Sequence, residues 1–332
     1  MARPVTLYTL QWGDISLETI CEKAKDFGYD GLELGLPNHL DIFQIDDSYY
    51  FSIKYLLDKY NLQLFTISSH LIGQAVCDNI DIRHKAILPD YIWRDGDPEG
   101  VRQRAAEYLI RTAHAAKKLG VNTVVGFTGS SIWQYIYSFP PTTDEMIEEG
   151  FQDFASRFIP ILDEYKKLGI RFALEVHPTE IAFDTVTAER ALDAVNQHPA
   201  FGFNYDPSHL GYQGVDYIDF IYKFSKRIFH VHMKDVYWSD KPTQAGIFGG
   251  YSKFGNPNRF WNFRSMGRGK IKFEEIIRAL NDIGYQGPLS VEWEDSGMDR
   301  EHGARESCEF VKKIDFQSSA LAFDAAFERK VD

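Results

Sequence analysis

Four residues of metal-binding type close successive apolar runs in the second half of the chain. They are Glu175 in FALEVHP, Asp206 in FGFNYDPSH, His232 in IFHVHMKD and Glu292 in PLSVEWED. Each falls where a buried strand should give way to a loop. If those strands are neighbours in a closed sheet, three carboxylates and one imidazole converge on a point. Oxygen-rich ligation with one nitrogen suits a hard-to-borderline divalent cation such as Mn²⁺, Mg²⁺ or Co²⁺. One such carboxylate alone reads as half of a structural salt bridge, because a buried charge needs a partner. Four at equivalent positions read as a metal site.

Further candidates cluster around these four. His209 follows Asp206 by three residues, beyond the strand-stopping Pro207. It reads either as a proton carrier beside the metal or as a cap on the next turn. His177 shares a strand face with Glu175 and either contacts a substrate hydroxyl or braces that carboxylate. His230 lies deeper on the strand than His232 and reads as a supporting or core residue. Lys234 offers a fixed positive charge for a developing enolate, or a salt bridge to Asp206 or Glu292. His70 ends the run LQLFTISSH and should point into the same mouth. Glu180 and Glu294 are weaker candidates, since carboxylates at loop starts are usually solvated. Among the loop aromatics, Trp133, Trp238 and Phe248 are the candidate substrate contacts. Most of their neighbours serve loop packing, and a few are placed to stack on a sugar or an aromatic aglycone.

Positioning these residues requires a repeated scaffold. Strand-like runs alternate with amphipathic stretches at about 16–27, 49–60, 99–119, 143–168, 187–197, 215–226, 273–283 and 303–314. Ser16 is a predicted N-cap. DFGYDGLEL, KLGVNTVV, KLGIRFAL and DIGYQGPLSV each place a glycine where a helix should end in a left-handed cap. Eight strand–helix units predict a (β/α)₈ TIM barrel, whose catalytic groups gather at the C-terminal ends of the strands. Long loops are expected after strand three (71–97) and strand seven (236–270). Such lengths mark functional or disordered segments, and the aromatic richness of the second argues for order. The closing stretch from Ile314 has a short helical pattern. No linker divides the chain, so residues 1–332 read as one domain.

Composition narrows the class. The 332 residues are 44% hydrophobic and 25% charged, with a formal net charge of −12. That balance suits a globular enzyme and disfavours a nucleic-acid partner, whose phosphates attract basic surfaces. Cys21, Cys77 and Cys308 are odd in number and far apart, as expected of reduced thiols. The N-terminal residues carry no signal-peptide pattern, and no run reaches a membrane-spanning length. A cytoplasmic protein is expected.

The strongest runs, ALEVHPTEIAFD, FGFNYDPSHL, HVHMKDV and GPLSVEWED, resemble the xylose-isomerase-like TIM barrels of the sugar phosphate isomerase/epimerase superfamily. The resemblance covers nearly the whole chain. It implies a divalent metal held by Glu175, Asp206, His232 and Glu292, with His209 beside the substrate. Two departures matter. Ketose 3-epimerases of the superfamily carry a Glu six residues after the first ligand and an Arg six after the histidine ligand. Here those positions are Ile181 and Trp238. The histidine that the related zinc endonucleases carry after strand four is missing from VVGFTGSS.

A narrower similarity is to the catalytic α subunits of C-glycoside deglycosidases. It implies a Mn²⁺-dependent carbon–carbon lyase acting on a 3-oxo-glycoside, an oligomer, and a small β-subunit partner. Proton abstraction beside a sugar carbonyl begins both elimination and isomerisation, with His209, His177 or a ligand carboxylate as base. A keto-sugar isomerase or epimerase therefore stands as the alternative, and a non-catalytic carbohydrate-binding barrel as the rival from another class.

Overall fold

The computed structural model describes residues 2–44, 46–137 and 139–319. Its strands are β1 (Val5–Tyr8), β2 (Gly31–Gly35), β3 (Gln63–Ser69), β4 (Thr123–Gly126), β5 (Arg171–Glu175), β6 (Phe201–Tyr205), β7 (Ile228–Met233), β8 (Asp235–Trp238), β9 (Trp261–Arg264) and β10 (Leu289–Val291). All but β8 and β9 form a closed parallel barrel in which β10 returns to pair with β1. The expected (β/α)₈ barrel is therefore the fold. Barrel strands are covered on both faces, so runs such as VTLY and GLELG are buried throughout.

Helices follow the strands around the outside: Leu17–Phe27, Asp47–Lys59, Pro98–Leu119, Asp144–Leu168, Thr185–Ala194, Tyr217–Lys223, Phe273–Asp282 and Arg300–Ile314. Ser16 caps the first by accepting the Thr19 amide. The glycines that end helices, Gly28, Gly120 and Gly169, sit in the left-handed region at φ 93°, 79° and 72°. There a Cβ would be strained, and the chain can turn at once into the next strand.

The two long loops are more structured than their composition implied. Residues 71–97 hold short helical turns, among them Ile82–Ala86 and Asp90–Trp93. Residues 236–270 are not a plain loop. β8 and β9 pair antiparallel, Trp238 opposite Trp261, so an arm rises directly from the end of β7. One carboxylate closes its neck: Asp235 accepts the amides of Val236, Gly269 and Ile271. The helical pattern read in the last residues lies outside the described residues, beyond Ser319. Among those described, no helix is long and apolar enough to cross a membrane, and all three cysteines are free and buried.

The barrel is closed at its base by an ion pair. Arg3, just before β1, bonds Asp315, just after the last helix, and both side chains are buried. Asp315 also accepts the Arg3 amide at 2.7 Å. Removing one partner strands a buried guanidinium. Asp315→Ala should lower unfolding free energy by about 3–5 kcal/mol in urea denaturation.

Candidate metal centre

β5, β6, β7 and β10 are consecutive around the barrel, and the ligand-type residues sit at or just beyond their C-terminal ends. Glu175, Asp206, His232 and Glu292 each offer one ligand atom, and the four atoms lie within 4.8 Å of one another. All four residues are buried. His232 Nδ1 is 2.8 Å from Glu292 Oε2 and 3.2 Å from Glu175 Oε2. His209 Nε2 reaches into the same group, 3.2 Å from Glu175 Oε1 and 3.3 Å from Asp206 Oδ2.

Asp206 Oδ2, Glu292 Oε2, His232 Nδ1 and His209 Nε2 are buried yet make no well-directed hydrogen bond among the described residues. Such atoms demand a partner. Burial pushes the Asp206 carboxyl up to about 6, against the pull of His209 and Lys234. Burial also opposes ionisation of Glu292, but Lys234 and His232 together outweigh it and hold that carboxyl at about 2. For Glu175, the adjacent imidazoles of His209, His232 and His70 outweigh desolvation and keep it well below the usual range. The local cations thus leave Asp206 undercompensated. A divalent cation held by these donors would supply the missing positive charge and give the orphaned atoms a partner. The donor set fits the group.

The supporting residues are buried with equal care. Glu175 Oε2 accepts His70 Nε2–H at 2.9 Å and the Asn204 amide at 3.1 Å. His70 Nδ1 in turn accepts the Tyr8 hydroxyl at 2.6 Å. His70 does point inward, but onto Glu175 rather than freely into the mouth. Lys234 bonds Glu292 at 3.0 Å and Glu294 at 3.2 Å, and lies over the Phe263 ring at 4.3 Å. His177 meets His209 edge to face at 4.2 Å between ring centres. Its Nδ1–H donates to the Pro178 carbonyl at 2.7 Å. Burial pushes the His177 imidazole down to about 3, so it is neutral with Nε2 carrying the lone pair.

The aromatic candidates are spread out. Trp133 donates its indole N–H to the Ile181 carbonyl and packs against Phe151 and Phe183. Trp238 lies on the arm and lines a surface pocket with Tyr212 and Phe260. Phe248 stands exposed near the arm's tip, its ring 6.0 Å from that of Tyr137. Beside the ligand cluster, a cavity of about 600 Å³ is lined by Leu71, Gln74, Asp78, Phe127, Gln134 and Thr179, among others. Phe127 forms the shared wall, its ring 4.7 Å from His70 and 5.0 Å from His177.

Two acidic residues depart from the sequence reading. Glu180, expected to be solvated, is fully buried. Its Oε2 accepts the Thr128 and Gly129 amides at 2.8 and 2.7 Å, while Oε1 has no hydrogen-bond partner among the described residues. Burial first, then Asp78, raises this carboxyl from 4.5 to about 8. The folded state therefore holds a proton that the unfolded chain releases, so stability falls as pH rises from about 4.5 to 8. In urea titrations across that window, Glu180→Gln should flatten this decline. An unchanged slope would show that Glu180 is ionised in the fold.

Glu33 was not singled out at all. It sits on β2 inside the barrel and bonds His230, His232, Ser68 and Ser290. The signal was present, because DGLELGL buries a carboxylate in an apolar run as FALEVHP does.

The chain is thus a parallel eight-stranded barrel with a buried carboxylate–imidazole cluster at its strand ends. The family model for the xylose isomerase-like TIM barrel matches residues 21–314, and this chain belongs to that family. It is 28% identical over 232 residues to the uncharacterised protein YfiH of Bacillus subtilis, covering 65% of this chain and 74% of that one. It is 28% identical over 129 residues to an inosose dehydratase of Clostridium perfringens, covering 39% of this chain and 42% of that one. Among solved structures, the probable 3-DHS dehydratase AsbF of Bacillus anthracis superposes with a TM-score of 0.65 at 18% identity. That match spans 93% of this chain and 98% of AsbF, and shows the shared fold.

Proposed function

We propose that the protein is a divalent-metal-dependent lyase that cleaves a 3-oxo-C-glycoside, with Mn²⁺ at Glu175, Asp206, His232 and Glu292. The observation that carries this reading is the convergence of those four ligand atoms beside Lys234. The position where ketose 3-epimerases carry a Glu is Ile181, fully buried and apolar. The neighbouring Glu180 is held by the Thr128 and Gly129 amides and does not replace it. A dehydratase among the sequence relatives supports elimination as the outcome.

The bound cation supplies Lewis acidity at the sugar carbonyl. A base removes the proton from C2, beside the C3 carbonyl, and the electron pair forms the enolate. Its collapse expels the aglycone carbon from C1, and that carbon takes up a proton. The imidazoles of His177 and His209, packed edge to face, are the bases within reach. His177 Nε2 has its lone pair free because Nδ1 is committed to Pro178. Lys234 holds its positive charge beside the developing enolate oxygen, fixed between Glu292 and Glu294. The cavity behind Phe127 and the exposed aromatics of the arm give the aglycone room.

The test is release of free aglycone from a 3-oxo aryl C-glucoside by the Mn²⁺-loaded protein, alone and with any co-purifying small subunit. Release abolished by EDTA supports the lyase. Solvent deuterium uptake or sugar interconversion without release moves the reaction to an isomerase or epimerase. Tight sugar binding with neither outcome leaves a carbohydrate-binding barrel.

A further inference from the structure

Beneath the ligand cluster the barrel interior is polar where apolar layers usually pack. Its centre is Glu33. Oε2 accepts His230 Nε2–H at 2.7 Å and the Ser290 hydroxyl at 2.6 Å. Oε1 accepts the Ser68 hydroxyl. His232 Nε2 lies 3.2 and 3.1 Å from the two oxygens and bisects the carboxylate. Thr66 lies 3.3 Å from the remaining nitrogen of His230. Every one of these residues is buried to within 1% of full coverage. The register between β2 and β3 shifts between Leu32 and Glu33, so that Glu33 comes to face Thr66. A bulge of this kind re-aims a side chain.

The arrangement fixes which nitrogen of His232 faces the cluster. A carboxylate only accepts, so Nε2 must carry the hydrogen that it gives to Glu33. Nδ1 is then the atom left to face Glu175 and Glu292. We propose that Glu33 is the positioning residue of the metal centre, holding His232 as the Nε2–H form so that Nδ1 presents its lone pair to the cation. The role rests on the metal reading given above. It is distinct from ligation, because Glu33 acts only through His232. The two serines bind Glu33 from the adjacent β3 and, across the barrel interior, from β10, and stop the carboxylate from rotating away.

Glu33, His230 and His232 also lie close enough to form a ligand set of their own. The hydroxyl donors decide against that use. Ser68, Ser290 and the two imidazole N–H groups fill the acceptor sites of the carboxylate, leaving none turned toward a second ion.

The experiment combines Mn²⁺ titration, followed by the EPR signal of the free ion, with ¹⁵N–¹H spectra of the Mg²⁺-loaded protein. Wild type should bind one equivalent of Mn²⁺ at this centre and show His232 protonated at Nε2 alone. Glu33→Gln, with a single acceptor oxygen for several donors, should bind Mn²⁺ roughly 10–100-fold more weakly, with the Nε2–H signal moved upfield. Ser290→Ala should shift both readouts in the same direction by less. Wild-type affinity in Glu33→Gln overturns the role of Glu33 and leaves the metal centre standing. A His232 protonated at Nδ1 in the loaded wild type overturns it whether or not the variants fold. Two equivalents in wild type, falling to one in Glu33→Gln, make Glu33 a ligand instead. No Mn²⁺ binding by wild type removes the centre itself, and Glu33's role with it.

Discussion

Glu292→Gln is expected to lose metal and turnover together. The substitution keeps the shape but removes one of three anionic ligands and the partner of Lys234. Mn²⁺ affinity should fall by at least the roughly 10–100-fold seen when only a ligand-orienting partner is lost. Saturating Mn²⁺ should not restore the rate, because Lys234 is then free to swing to Glu294 and no longer holds its place beside the carbonyl. A fall in kcat of roughly 10²–10³-fold matches the loss of one preorganised electrostatic group. Equilibrium binding and steady-state kinetics on the same preparation check both halves. Full metal occupancy with unimpaired turnover would falsify the four-ligand centre.

The second large effect concerns Lys234→Met, read as stability. Lys234 and Glu292 are both buried, and the lysine is held protonated by Glu292, Glu294, Asp206 and Glu175 against the cost of desolvation. With its partner gone, Glu292 keeps a buried charge beside two other carboxylates. The metal-free variant should be about 3–5 kcal/mol less stable than wild type in urea. Adding Mn²⁺ should recover part of that deficit, because a ligand that binds only the folded state stabilises it by mass action. The recovery should exceed the gain that Mn²⁺ gives wild type, since the ion then also compensates Glu292. Equal gains in the two proteins would separate the lysine from the metal cluster.

Much of this was legible before any coordinates. The helix ends were marked by Ser16 and by the glycines at 28, 120 and 169, whose conformations are local properties of the chain. The four clustered positions were legible because carboxylate or imidazole residues recur at the ends of successive apolar strands, whereas one alone would read as half of a salt bridge. Glu33 carried the same mark and was passed over, because it lies on β2, away from the four consecutive strands that drew attention. Only closure of the barrel, β2 pairing with β1 and β1 with β10, carries it round to His232. The arm of β8 and β9 was hidden for a related reason. DVYW and WNFR are short and lack strict alternation, and their pairing spans more than twenty residues of sequence. Glu180 was misjudged because its position in a loop predicted solvent, whereas its partners are backbone amides of Thr128 and Gly129 at the end of β4.

The neck of that arm has a consequence of its own. Asp235 ties the outgoing strand to Gly269 and Ile271 on the return, so everything between 236 and 268 enters and leaves through one clamp. Within the arm, Phe263 packs back onto the centre, its ring 4.3 Å from the Lys234 ammonium, whereas the residues beyond the Trp238–Trp261 pair lie on the far side of both clamp and ring. The segment is thus a cassette. Its outer part should tolerate changes of length that alter what the mouth admits, as long as Phe263 keeps its place over Lys234.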